Sequence, residues 1–325
     1  MKLSLVAAAI VLLPIAFSSQ ATETKSFQSF SSVNYSNSDY NYGDAFNVGI
    51  ASQYFFDERI TKGPLNEFDY INTLSNISVD YQYTSAEHSR KMSLPYNNQS
   101  VEMFLVQFEN EIESNNVNIS ADWFVGDFLL GGTYSYSDYD GTWKTALLEG
   151  DAPNNWDEDY SKMSDSDSAY SLSLGYLISD NFLVKSTYHQ TAELFTFMAS
   201  YDLTLNDTDY IGFSYETDEN FDVHALSSKY FMLLANDSYL TVSAAYTVDN
   251  MDDDYFDEDN YWSVGSSYYF NQYTSISANY DENENYSLAA THFFNDNYSL
   301  SAGYTSTNDS DDDFKSYGIS FSAQF

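Results

Sequence analysis

Apolar and polar residues alternate with a period of two over most of this chain. Six segments repeat one theme, a small polar residue and an apolar residue in turn, closed by an aromatic ring. They cover residues 76–81, 171–176, 241–246, 275–280, 299–304 and 316–321. In a strand this spacing puts Leu300, Ala302 and Tyr304 on one face and Ser299, Ser301 and Gly303 on the other, whereas a helix would scatter them. The pattern predicts hairpins at 298–306/314–325, 273–281/285–294, 239–248/260–270, 209–217/222–234, 182–190/195–205 and 128–138/168–178. It predicts further strands at 25–38, 44–57, 74–86 and 115–124, with 100–111 as a loop excursion.

The connections are of two kinds. Short turns rich in Asn and Asp, such as Asn206-Asp207 and Asn236-Asp237, suit a left-handed backbone and bond their own chain. Longer acidic stretches lie at 138–168, 249–260 and 305–313. Short turns on one side and long loops on the other are the asymmetry of a transmembrane antiparallel β-barrel. Both ends of such a chain lie on one side, so the strand number is even, and about sixteen is expected. Eighteen is the alternative, with one more strand hidden between Pro64 and Asn72. The mean hydropathy of −0.42 fits this reading, because only alternate residues of a barrel strand face lipid.

The last strand is the sharpest local signal. Tyr317, Ile319, Phe321, Ala323 and Phe325 alternate and finish the chain on an aromatic residue. This resembles the terminal assembly signal of bacterial outer-membrane barrels, which implies the barrel-assembly machinery as a partner. In a closed barrel such a strand pairs with the first, and no apolar edge is left to aggregate. Aromatics cluster beside the short turns at Tyr54-Phe55-Phe56, Tyr268-Tyr269-Phe270 and Phe293-Phe294, as membrane-interface girdles do.

At the other end, Lys2 precedes an apolar run from Leu3 to Phe17, and Ser19-Gln20-Ala21 offers small residues for cleavage. Residues 1–21 read as a signal peptide, with residues 22–325 as the barrel. The run is short for a membrane-spanning helix and no stop-transfer cluster follows it.

Composition narrows the function. Tyr (31) and Phe (24) dominate the apolar set and Pro is scarce (4), as suits a pleated sheet with few edges. With no Cys, neither a disulfide framework nor a thiol catalyst exists. A formal charge of −38 excludes nucleic acid as a partner and favours cations. The acidic runs Asp252-Asp253-Asp254, Asp257-Glu258-Asp259 and Asp311-Asp312-Asp313 supply carboxylate oxygens for weak divalent binding and bridging to lipopolysaccharide. They lack the Gly of an EF-hand loop, so solvated charge is the plainer reading and no specific metal site is expected. No cofactor is implied. The four histidines are scattered, and neither Gly-x-Ser-x-Gly nor His-Glu-x-x-His occurs, so the sequence points away from an enzyme.

The segment Lys62-Gly63-Pro64-Leu65-Asn66-Glu67-Phe68, followed by Ile71-Asn72 and the strand from Asn76, resembles a family of general porins of gammaproteobacterial outer membranes. There a Tyr-Phe cluster ends the second strand and a Gly-Pro-Leu-x-Glu turn precedes the third. The resemblance implies a passive diffusion channel among outer-membrane lipid and lipopolysaccharide, and a homo-oligomer is compatible with it.

A sixteen-strand barrel encloses water, so its inward residues should be polar. Asn118, Ser120 and Asp122 in one strand, Lys185, Thr187 and His189 in another, and Thr196, Ser200 and Asp202 in a third are the pore-lining candidates. Acidic residues number 49 against 11 basic, which predicts a modest preference for cations among small solutes. The 138–168 loop is the candidate constriction, with Trp143, Leu147, Leu148 and Trp156 to pack against the inner wall; an outward lid or adhesion loop is the alternative. A non-conducting barrel with an adhesive or envelope-structural role is the competing function.

Overall fold

The computed structural model describes residues 24–95, 103–149, 159–250, 260–308 and 314–325. Sixteen antiparallel strands close into a barrel among them, each paired with its neighbours in sequence and the last with the first. The strands are β1 (Ser26–Tyr40), β2 (Gly43–Ile60), β3 (Asn76–Pro95), β4 (Met103–Val125), β5 (Phe128–Glu149), β6 (Asp159–Ser179), β7 (Phe182–His189) and β8 (Leu194–Thr204). They continue as β9 (Tyr210–Asp218), β10 (Val223–Leu233), β11 (Tyr239–Asp249), β12 (Tyr261–Asn271), β13 (Thr274–Asp281), β14 (Asn285–Phe293), β15 (Tyr298–Thr307) and β16 (Lys315–Gln324). The expected sixteen strands and the short turns between them are present. The proposed signal peptide lies outside the described residues, as do the three acidic runs and Trp156.

Closure rests on β1 and β16, which pair in register from Phe30↔Gln324 to Asp39↔Lys315. The Phe325 carbonyl accepts from the backbone N–H groups of Gln28 (2.6 Å) and Ser29 (2.8 Å). No strand edge is therefore left through the barrel wall, and every ladder group there can find a partner.

Period two sorts the side chains. Leu130, Leu172, Leu174, Ile276, Leu288 and Ile319 are exposed on the outer surface. Large apolar residues exposed around the outside of the barrel are the reverse of a soluble protein and are what a lipid-facing surface needs. The alternate positions turn hydroxyls and amides into the lumen. Ser120 bonds Thr133 at 3.0 Å, Ser173 bonds Thr187 at 2.9 Å, and Ser200 bonds Ser214 at 3.1 Å.

Two sequence expectations need correction. Residues 103–111 belong to β4, which runs unbroken for 23 residues and pairs with β3 from Asn76↔Asp122 to Pro95↔Met103. The 100–111 stretch is thus not a loop excursion over its described part. The span 138–168 is likewise not one loop: β5 and β6 continue as a ladder as far as Thr145↔Asp159. Strands of 20, 23, 22 and 21 residues (β3 to β6) are about twice the 9–11 residues that cross a bilayer. They project past the 8-residue β7 as a four-stranded sheet on the side away from the termini. Its outer face carries charge, including the ion pair of Lys144 with Glu109 at 3.2 Å. Asp159 to Ser168 is exposed on both faces, and its Asp, Ser and Lys side chains guard an edge that β7 does not cover.

Candidate functional site in the lumen

The inward-folding element is the connection between β2 and β3, residues 61–75. It is not a strand, so the eighteen-strand alternative falls. Its sequence explains its shape. Pro64 fixes its own φ, the Glu67 N–H donates to the Pro64 carbonyl (3.1 Å), and the Lys62 N–H donates to the Glu67 carbonyl (2.7 Å), closing a tight turn. Gly63 stands at φ +127°, and a Cβ there would collide with the ring of Tyr239, so only glycine is accommodated.

This turn reaches across the end of the barrel that holds the termini. Leu65, fully buried, sits between Phe27 of β1 and Phe293 of β14. Its N–H donates to the Gln272 carbonyl (3.0 Å) and its carbonyl accepts from Gln324 Nε2 (3.3 Å). Farther along, Ile71 packs on Leu129 and Leu183, and the Tyr70 ring lies over Gly212 of β9, where any side chain would strike it. In the β12–β13 turn below Leu65, Tyr273 donates to Asp296 Oδ1 (2.8 Å). Burial first, and then that bond, raises the pKa of its phenol, so it stays a donor at physiological pH.

Glu67 is the anchor. It is 2% exposed, and its Oε1 accepts from the Tyr210 hydroxyl and from Lys229 Nζ, both at 2.5 Å, while Oε2 faces the Tyr269 hydroxyl at 3.5 Å. A buried carboxylate is costly unless its lone pairs are met, and here β9, β10 and β12 each bring a donor. Such a pair adds little net stability but fixes one arrangement, because every shifted register strands a charge. Tyr210, Phe231 and Tyr239 stack alongside with centroid spacings of 5.6 Å. Arg59 lies between Phe68 (4.4 Å) and Phe55 (4.9 Å), in cation–π contact with both. Lys62 pairs with Asp69 at 2.6 Å and Lys25 with Asp296 at 3.3 Å. Beside the segment, a cavity of about 550 Å³ remains between Arg59, Asn66 and Phe68 and the wall at Ser78 and Asp80.

The aromatic clusters beside the turns thus divide by parity. Tyr54, Phe56, Phe294 and Tyr298 face outward, where a girdle belongs. Phe55, Tyr269 and Phe293 face inward and clasp the segment, a role the sequence does not announce.

The sequence-derived lumen residues all lie on inward positions of β4, β7 and β8. Ser120, Asp122, Lys185, Thr187, His189 and Thr196 line one wall recess of about 330 Å³. Asn118 instead donates to Asp80 Oδ1 (2.9 Å), Ser200 bonds Ser214, and Asp202 stands nearer the segment, where it senses Asp69 and Lys62. His189 Nε2 contacts Thr196 Oγ1 at 3.1 Å. Of the constriction candidates among the described residues, Trp143 covers Gly141 on β5, and Leu147 and Leu148 also sit on β5, with Leu147 opposite Val106 of β4. Tyr317, Ile319, Phe321 and Phe325 are exposed on the outer face, with Tyr298 against Phe321 (5.9 Å) and Phe325 (5.7 Å). Glu67, Lys229, Tyr210, Tyr269 and Arg59 were not read from the sequence. Their one signal was the Gly-Pro-Leu-x-Glu turn.

Among solved structures, the chain is similar to Omp33 of Acinetobacter baumannii, at 15% identity over 92% of this chain and 99% of that one, with a TM-score of 0.45. It is also similar to OprB of Pseudomonas putida, at 12% identity over 92% of each chain, with a TM-score of 0.48. A third likeness is to OccAB3 of Acinetobacter baumannii, at 10% identity over 94% and 100%, with a TM-score of 0.43. No curated relative matches the chain. The family described as "Putative general bacterial porin" matches residues 1–139 and 155–325. Nearly the whole chain is covered by that match, and it falls on a barrel with a polar lumen: the chain belongs to this porin family of the Gram-negative outer membrane.

Proposed function

We propose that the barrel is a passive channel for small hydrophilic solutes and ions with a modest preference for cations, narrowed at its periplasmic end by residues 61–75. The observation that carries this reading is the state of the charges along the lumen. Asp80, Asp122, Asp202 and Glu216 sit at inward positions of the wall. The basic groups at the narrow end are engaged: Lys229 by Glu67, Lys62 by Asp69, and Arg59 by aromatic rings. Carboxylates near a narrow passage attract mobile cations, and wall charges within roughly 8 Å of the permeating ion are not screened away. The family and the fold fit a channel rather than an enzyme.

A salt gradient across a planar bilayer tests the selectivity. The reversal potential should move toward the cation value, and a shift toward the anion value would refute the preference. The buried latch at Glu67 favours a second reading, a barrel shut at rest whose role is adhesive or structural. Repeated absence of current from correctly folded protein would support it. The outward alternation ending at Phe325 supports recognition by the barrel-assembly machinery. The acidic outer strands suit divalent bridging to lipopolysaccharide.

A further inference from the structure

The recess in the wall above the inward segment is built unlike the rest of the lumen. Most lumen hydroxyls near it are spent on each other: Ser120 with Thr133, Ser173 with Thr187, Thr196 with His189. Three charged side chains in the same recess are not. Asp122, Lys185 and Glu216 line it, and among the described residues none makes a side-chain hydrogen bond or an ion pair. Their placement follows from register. Lys185 on β7 is level with Met198 and then Glu216, two strands to one side. On the other side Asp122 on β4 lies across Gly131 and Ser173, and Lys185 feels its charge. The floor between the two is small by necessity, since a Cβ at Gly131 would meet Asp122 Oδ1 and crowd Ser173. A basic group flanked by two acids over a floor of Gly and Ser, in about 330 Å³, is a recess with unspent charge of both signs.

We infer that this recess is a solute subsite for small zwitterions, molecules of amino-acid or dipeptide size that carry one ammonium and one carboxylate. The ammonium goes to Asp122 or Glu216 and the carboxylate to Lys185. Mixed charge excludes the alternatives by the same means. A simple anion meets two carboxylates, and a simple cation leaves Lys185 unsatisfied while gaining nothing from it. The volume is at the small end of ligand sites, which limits the solute to a few residues' bulk. The inference rests on the channel reading, because a solute must reach the lumen, but its test does not need current.

Saturation-transfer NMR on the detergent-folded full barrel would use L-alanyl-L-alanine, its N-acetyl form and its amide form. The free dipeptide should bind more tightly than either blocked form by about tenfold, the usual value of one charge-assisted bond. Lys185→Met should bring the free dipeptide down to the level of the amide form, and Asp122→Asn should weaken it in turn. Equal signals from all three solutes, or an unchanged affinity in Lys185→Met, would overturn the subsite. Ser316→Ala, on β16 and outside the recess, controls for folding and should bind as the parent does. Planar-bilayer current measured on the same preparation separates the two ideas. Steady current without selective binding removes the subsite alone, and selective binding without current removes the channel reading alone.

Discussion

Replacing Lys229 by Met is expected to release residues 61–75 from the wall and to enlarge the conducting passage. Glu67 would then be a buried carboxylate without its counter-ion, held only by the Tyr210 and Tyr269 hydroxyls. Removing one partner of a buried pair costs about 3–5 kcal/mol, and Lys229 is about one-third exposed, which places this case at the low end. About 3 kcal/mol shifts the balance of docked and released segment by roughly a hundredfold. The barrel should survive, because its ladder does not pass through the segment. Single-channel current should therefore rise while the folded band on an unheated gel stays the same. The double variant Glu67→Gln, Lys229→Met leaves no charge to strand and should restore most of the docking. The coupling between the two sites then reports the pair rather than either side chain. Unchanged current in Lys229→Met would mean that the segment does not set the passage.

Much of this architecture is written in the sequence, and the reasons for the exceptions are physical. Alternation in β11 to β16 reads cleanly because one face must be apolar for lipid and the other polar for water, a constraint local to each strand. Beyond the bilayer that constraint ends. In β4 the run Glu109 to Asn116 is polar at every position but Ile112, and in β6 the run Asp159 to Ser168 is exposed on both faces, so their polarity resembles a loop although the ladder continues. The inward segment fails for a different reason. Pro64, Gly63 and Glu67 mark a turn, yet what buries that turn lies 143, 162 and 202 residues away at Tyr210, Lys229 and Tyr269. Nothing local tells a Glu in a solvated turn from one that three strands have gathered to receive. The lumen face of β4, β7 and β8 was legible from parity. That Asp122, Lys185 and Glu216 share one recess depends on the register across six strands, β4 to β9, which the sequence does not carry.

The second large effect concerns the outer face. Leu174 is 66% exposed in the middle of the crossing part of β6. Leu174→Arg should cost about 2–4 kcal/mol of barrel stability, the value for a charge at the bilayer midplane. Ser173→Arg, the adjacent residue of β6 but facing the lumen, should cost little, because its guanidinium remains in water. Urea unfolding of the lipid-reconstituted protein compares them. Equal destabilisation would mean that the two faces are not divided between lipid and water.

The chain has no cysteine, so single cysteines placed along β6 report their surroundings without background. Residues 171 to 176, replaced one at a time in the membrane-reconstituted protein and treated with a charged thiol reagent, should label at Ser171, Ser173 and Gly175. Leu172, Leu174 and Tyr176 should stay unlabelled. Uniform labelling along this stretch, or the opposite alternation, would contradict a water-filled interior behind a lipid-facing wall.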